Sequence, residues 1–197
     1  MSTIKATNIA HTSASVSNMV LGSNGAVTFG GSVIGSGLDL ITTQSFSAAS
    51  TVSVNNCFTS TYENYRIMFS NVSANTGSPG LFFRFRVSGS DDSSSVYSSQ
   101  YTSISGTTVS TSRGLLSYAN VGDAYTDPMC MTMDIFNPYL IRQTMVVSNN
   151  AINVTSGTVS IRYSNFLFSS TTIFDGFTFY PQSNTISGTI RVYGYKN

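Results

Sequence analysis

Short stretches of alternating apolar and polar residues recur along the chain from Leu38 onward. In one of them Tyr65, Ile67 and Phe69 take every second position, and Gly, Asn, Asp, Ser and Pro separate one stretch from the next. A period of two places successive side chains on opposite faces of a β-strand, so each stretch predicts a strand with one core face. Similar alternation occurs in 81–87, 129–135, 159–164, 177–179 and 190–192.

Weaker alternation adds further strands and completes the predicted fold. The chain contains 13 Phe and 11 Tyr, and this aromatic content favours strands over helices. The total of about eight to ten strands predicts an all-β fold, a jelly-roll-like antiparallel β-sandwich. The longest predicted loops, where recognition usually sits, are 73–80, 89–95 and 120–128. The weaker runs lie near 38–46, 51–58, 98–104, 107–118, 140–148 and 170–174.

Residues 1–37 differ from the remainder and predict an extended N-terminal arm before a head domain at 38–197. The arm holds one aromatic residue, Phe29, no acidic residue, and a Gly-rich joint at 30–37. The segment 20–29 predicts a hairpin with a type I′ turn at Asn24-Gly25. Its apolar face needs a partner, because an isolated two-stranded hairpin is marginally stable in water. The candidate assembly contacts are Ile4, Ile9, Val20, Val27 and Phe29, of which Val20, Val27 and Phe29 are predicted to share a face.

Charge is scarce and evenly balanced along the chain. Charged residues make up 9% of the sequence and the formal net charge is +1. An average globular domain has about 25% charged residues, so this surface must be covered largely by hydroxyl and amide groups, which suit assembly. No basic run is present to follow a phosphate backbone, and no apolar stretch approaches the ~18 residues of a membrane helix. We therefore expect neither nucleic-acid binding nor membrane insertion.

The residues needed for catalysis or metal binding do not form a recognisable set. The only histidine is His11, in the arm, which argues against Ser-His-Asp and Cys-His catalysis. Cys57 and Cys130 are far apart in sequence; we expect two buried free thiols, although a pairing stays open. One His and two Cys are too few for a usual zinc site. The sequence therefore predicts no catalytic residue, no metal and no cofactor, and a protein that is not an enzyme.

Two acidic features carry the remaining chemical alternatives. Asp134 lies in an alternating strand, where an outward-facing, solvated carboxylate is favoured over one half of a glycosidase pair. Asp91 and Asp92 lie in a Gly- and Ser-rich segment that favours a turn over a weak calcium site. Arg84 and Arg86 share one strand face, which favours a cross-strand ion pair or an exposed strand face over an anion site.

Four tyrosines in the loop-rich middle of the sequence are candidate contacts for a receptor or partner. They are Tyr97, Tyr101, Tyr118 and Tyr125. Aromatic faces stack on sugar rings and anchor protein partners, and ordinary packing within the sheets explains the same residues equally well. Both interpretations remain open from the sequence.

Short motifs spread over nearly the whole chain form a distinctive combination. The arm begins with MSTIK at 1–5 and contains GSNGAVTF at 22–29. The body contains LITTQ at 40–44 and YENYRI at 62–67, and ISGTIRVYG follows at 186–194. In this combination the arm resembles the N-terminal arms of virion proteins from tailed bacteriophages, especially marine ones. The body resembles the sandwich domain of those proteins.

The resemblance implies a structural component of the virion, made in the host cytoplasm and typically a homotrimer, and it implies no catalytic residues. The leading hypothesis is a short fibre or appendage: the arm docks on a portal or tail protein and the sandwich binds a host-surface glycan. The alternative is a capsid decoration protein whose arm staples the major capsid protein. The arm runs directly into the sandwich without a shaft, which favours the alternative. A third hypothesis, less favoured, is a carbohydrate-active enzyme or free lectin.

Overall fold

The computed structural model describes residues 8–9, 19–21, 23, 27–29, 37–155 and 158–196. The chain divides into two compact units, Met1–Gly37 and Leu38–Asn197, and each is described by itself. The described residues form β-strands and no helix. The strands of the second unit form antiparallel sheets packed as a sandwich. The predicted all-β sandwich is confirmed.

The first unit contains a small antiparallel sheet. Its strands are β1 (Asn8–Ile9), β2 (Met19–Leu21) and β3 (Val27–Phe29), in the order β1-β2-β3. The strands β2 and β3 pair as the two arms of the predicted hairpin. Ile4 and the predicted turn residues Asn24 and Gly25 lie outside the described residues.

The register of this hairpin corrects one prediction. Val20 pairs with Thr28, whereas a two-residue turn at Asn24-Gly25 would pair Val20 with Phe29. Paired positions share a face of the pleat, so Val20 is out of phase with Val27 and Phe29. The prediction that these three positions share one face was wrong, because the observed register pairs Val27 with Leu21 and Phe29 with Met19. Ile9 pairs with Met19.

The second unit contains thirteen strands among its described residues, more than the predicted eight to ten. They are β4 (Leu38–Ala49), β5 (Val52–Val54), β6 (Asn64–Ala74), β7 (Gly80–Val87), β8 (Ser90–Asp91), β9 (Tyr97–Ser105), β10 (Thr108–Leu116), β11 (Ala119–Asp123), β12 (Met129–Phe136), β13 (Thr144–Thr155), β14 (Thr158–Phe168), β15 (Gly176–Pro181) and β16 (Ile186–Tyr195).

Two antiparallel sheets enclose the core of this unit. The larger has eight strands in the order β10-β9-β14-β13-β12-β6-β16-β4. The smaller has the order β11-β7-β15-β5, and the short strand β8 pairs with β7 in addition to this order. Aromatic rings fill the space between the sheets: Phe85 stacks on Phe174 with centroids 4.4 Å apart, and Phe83 stacks on Phe177 at 5.2 Å.

Three segments differ from their predicted state. The predicted loops 89–95 and 120–128 contain β8 and most of β11, because pairing with β7 orders residues of low strand propensity. The predicted weak strand at 170–174 is instead a connection between the sheets, anchored by the buried ring of Phe174 and by the bond from Phe174 N–H to the Pro138 carbonyl.

The strand β14 reverses the predicted core face of the segment 159–164. Val159 and Tyr163 are 61% and 48% exposed, whereas Arg162 and Ser164 are buried. A strand alternates with a strict period of two, so Arg162 and Ser164 share the face of the buried Phe166 and Phe168 further along β14. Burial of those two rings fixes the phase, and the apolar side chains of 159–163 consequently face outward.

Candidate interaction surface

The side of the eight-stranded sheet that points away from the core, called the outer face below, is unusually apolar. Thirteen large apolar side chains are exposed among the described residues of the second unit, and nine of them belong to this face by strand phase and register. Contiguous exposed apolar patches mark interaction sites, whereas isolated ones are ordinary. The nine are Leu40, Met68, Val109, Leu115, Phe136, Met145, Val147, Val159 and Tyr163.

Strand register places four of these nine side chains in two rows that cross the sheet. Going from β10 through β9, β14 and β13 to β12, directly paired residues continue each row from one strand to the next. Between the rows lies a band in which polar side chains predominate, and Val147 and Tyr163 are its exposed apolar members. The first row is Leu115, Ser98, Leu167, Met145 and Phe136, and the second is Val109, Ile104, Ile161, Ala151 and Cys130.

Part of the outer face forms a groove of about 680 Å³. Leu115, Met145 and Val147 supply apolar lining, and Arg113 and Asn165 add a guanidinium and an amide. The aromatic residue among the described lining residues is Phe166, whose ring is buried in the core. The groove therefore offers aliphatic contact and a few polar groups, and no exposed ring on which a sugar would stack.

An ion pair neutralises the polar band. Asp134 accepts hydrogen bonds from Arg66 Nε and Nη2 at 2.8 and 2.7 Å, and from the Tyr195 hydroxyl at 2.6 Å. Burial raises the pKa of Asp134, but the bonds from Arg66 and Tyr195 outweigh that effect and hold the pKa below its ordinary value. Burial, followed by the bond to Asp134, raises the pKa of Tyr195 to about 12. Asp134 faces outward as predicted, but its carboxylate is paired.

Two of the predicted tyrosine contacts are held in or beside the core. Tyr97 is fully buried: its hydroxyl accepts a bond from Phe85 N–H and donates one to the Asp92 carbonyl. The prediction that Tyr97 contacts a partner at the surface was wrong, because β9 directs this ring inward. Tyr101 also points inward from β9 and lies under the Arg162 guanidinium, 4.2 Å from ring centroid to Cζ.

The other two tyrosines are half-buried in different places. Tyr118 follows β10 and packs in a tilted arrangement against Phe82, with centroids 4.3 Å apart. Tyr125 follows β11 and packs against the core. The structure does not join the four predicted tyrosines into one platform. Contact of Tyr101, Tyr118 and Tyr125 with a partner stays a prediction.

The two cysteines are free and occupy different environments. Cys57 is buried, and burial raises the pKa of its thiol. Cys130 is exposed at the end of the second apolar row, so the prediction that it is buried was wrong. Met129 and Met131 take the inward positions on β12, and the alternation turns Cys130 outward.

The predicted basic face of β7 divides into two arrangements. Arg86 forms an ion pair with Asp91 of β8, which confirms the predicted cross-strand pair, and Thr178 donates a hydrogen bond to the same carboxylate. Asp91 therefore lies in a short strand and not in the predicted turn. Arg84 instead donates to the Ser117 carbonyl and lies over the ring of Tyr180.

A second polar cluster lies inside the sandwich. Arg162 forms an ion pair with Asp123 at 2.8 Å and donates to Asn120 Oδ1 at 3.0 Å. Desolvation raises the pKa of Asp123 and outweighs the opposing effect of Arg162. The cluster stabilises the inward position of Arg162.

Reactive side chains do not gather elsewhere in the part of the chain that the structure describes. Across 37–155, 158–196 and the short described pieces of the arm, no three His, Cys, Asp or Glu residues lie close enough to hold a metal ion. In those ranges there is also no helix with the length and hydropathy needed to cross a membrane. His11 lies outside the described residues.

The outer face is a feature that the sequence prediction missed. Its signal was present in 159–163, but the apolar residues of that segment were assigned to the core. Comparison with known proteins adds no assignment: no protein-family model, no curated protein and no solved structure matches this chain.

Proposed function

We propose that this chain is a structural protein of a tailed-bacteriophage particle and not an enzyme. Its arm, residues 1–37, docks on other virion proteins, and its sandwich head is displayed as part of a short homotrimeric appendage that contacts a host-surface glycan. The outer face is the observation that carries the proposal. A broad apolar surface on a rigid sheet suits lasting contact between proteins better than turnover of a small substrate.

The composition and the sequence motifs support the same assignment. Only 9% of the residues in the whole chain are charged, so its surface presents largely hydroxyl and amide groups, which can be buried at a contact without desolvating many charges. The arm and the body resemble those of tailed-phage virion proteins.

A competition experiment tests the receptor-binding part of the proposal. The purified full-length chain, added to host cells before the phage, is expected to occupy the receptor and lower the adsorption rate in proportion to its concentration. A heat-unfolded sample of the same chain is the control. Unchanged adsorption at saturating protein would contradict host binding.

The capsid decoration protein is the second candidate, because in the sequence residues 1–37 lead directly into the segment that forms the sandwich. In that case particles lacking the chain should adsorb normally, and their shells should open at a lower temperature. Re-addition of the full chain should restore shell stability, whereas a chain lacking residues 1–37 should not. Normal shell stability without the chain would argue against decoration.

A further inference from the structure

We infer that the outer face of the eight-stranded sheet is covered by the outer face of a second copy of this chain. The inference concerns the sandwich alone and does not depend on where the protein sits on a particle. Because an isologous contact joins chains two at a time, a trimer held together by other contacts would pair with a second trimer, giving six chains. It assigns a partner to the surface defined by the nine exposed apolar side chains. Three properties of that surface favour a second copy over an unrelated partner.

The first property is area. Across the strands, eight strands about 4.8 Å apart give the sheet a width of about 34 Å. Along the strands, about eight paired residues at ~3.4 Å each give a length of about 27 Å. The flat area is therefore about 900 Å². A stable interface of standard size buries about 800 Å² on each partner. One outer face packed on another thus has the extent that a stable pair requires.

The second property is the symmetry of the pattern. The two apolar rows lie towards opposite ends of the strands, with the polar band between them. When a two-fold axis in the plane of the interface relates two copies, the apolar rows of one copy therefore lie on the apolar rows of the other. The polar band of one copy then lies on the polar band of the other. An isologous contact needs this kind of self-complementarity.

The third property is the placement of charge. Arg66 and Asp134, within the polar band, neutralise one another, so packing leaves no net charge there. Two other arginines lie on the outer face. Arg113 is on the edge strand β10, and Arg191 is on β16, next to the other edge strand. Both positions fall towards the rim, where water continues to solvate a charge and repulsion between copies is small.

Sedimentation of the full chain over a range of concentrations tests the inference. The wild-type chain is expected to self-associate, and Val147→Glu should weaken that association at least tenfold by burying a carboxylate at the contact. Ile141→Glu is the matched control: Ile141 is 74% exposed in the loop after β12 and lies off the outer face, so its variant should associate within twofold of wild type. Far-UV circular dichroism checks the fold of both variants.

Cys130 supplies an independent measurement in the unaltered protein. In the separated chain its exposed thiol should react readily with a thiol reagent, while Cys57, which is buried, should not. At concentrations where the chain associates, labelling of Cys130 should slow at least tenfold. A bulky maleimide attached to Cys130 should then prevent association, and Cys130→Ser should associate normally and lose the rapid labelling.

Several results would overturn the inference. A wild-type chain that remains monomeric at every concentration would do so. An oligomer that Val147→Glu leaves intact, with Cys130 labelled equally fast at low and high concentration, would place the contact elsewhere, for example in the arm. Loss of association in Ile141→Glu to the same degree as in Val147→Glu would likewise show that the effect is not specific to the outer face.

Discussion

Arg66 and Asp134 face each other directly on neighbouring strands and join through both oxygens of the carboxylate. The register pairs the two residues across β6 and β12, and Nε and Nη2 of the guanidinium lie 2.8 and 2.7 Å from Oδ1 and Oδ2. A bidentate pair has fixed geometry, which makes it stronger than a single surface contact. The Tyr195 hydroxyl adds a third bond to the carboxylate.

Asp134→Asn should lower the free energy of unfolding at pH 7 by about 1 kcal/mol, a modest value because solvent screens the partly exposed pair. The folded-state pKa of Asp134 lies below its ordinary value, so its contribution is full above the ordinary pKa and is lost as pH falls through the folded pKa. In urea unfolding measured from pH 7 to pH 2, the free energy of unfolding should therefore fall less at acidic pH in the variant than in wild type. Asp127→Asn, at an exposed carboxylate, is the control. Equal acid-side losses in wild type and Asp134→Asn would refute this account.

Gly194 allows the ring of Tyr62 to lie against the backbone of β16. A Cβ atom at position 194 would lie 2.3 Å from Cγ of that ring, which is far inside contact distance. Gly194→Ala should therefore destabilise the protein by about 1–3 kcal/mol, as overpacking does. Thermal and urea unfolding measure the loss.

Two further variants separate crowding from a general effect of alanine at position 194. Tyr62→Ala combined with Gly194→Ala should cost less than the sum of the two single changes, because removal of the ring makes room for the new methyl group. Gly114→Ala on β10 meets only ordinary contacts, the nearest at 3.5 Å to Leu116 Cδ1, and should be tolerated. Additive losses in the double variant would contradict the crowding argument.

Arg162 is an inward-facing cation, and its removal should be costly. Arg162→Met leaves the Asp123 carboxylate without its counter-ion and should lower stability by about 1–2 kcal/mol, less than a fully buried pair would lose, because that carboxylate is 32% exposed to solvent. Adding Asp123→Asn to this variant should recover part of the loss by removing the unpaired charge. Arg113→Met, at an exposed position of β10, should change stability by less than about 0.5 kcal/mol. A loss for Arg162→Met no larger than for Arg113→Met would contradict the buried role of Arg162.

The sequence predicted those parts of the fold that follow from local alternation. Tyr65, Ile67 and Phe69 are all buried, as their spacing required. The predicted core face of the segment 159–164 was wrong because alternation within the segment does not determine which of its two faces is buried. Burial of Phe166 and Phe168, beyond the segment, determines it. The short strand at 119–123 was missed because pairing with β7, which is distant in sequence, orders it.

The candidate surface was harder to predict for the same reason. An outer face exists only when register brings Leu115, Met145 and Phe136 into one row, and these residues are up to 30 positions apart in sequence. The predicted tyrosines were chosen for their chemistry and their place near presumed loops. Tyr97 shows the weakness of that choice, since an aromatic residue beside a loop can equally face inward from a strand.

Location on the particle tests the central proposal most directly. Purified virions from infected host cells are labelled with an antibody raised against the full chain and imaged by electron microscopy. The proposal predicts label at the tail or at another defined appendage, in amounts that mass spectrometry of the same particles counts as multiples of three chains. Label spread over the head would favour the decoration protein instead. Absence of the chain from purified particles, with the antibody shown to recognise the folded protein, would contradict a structural role in the virion.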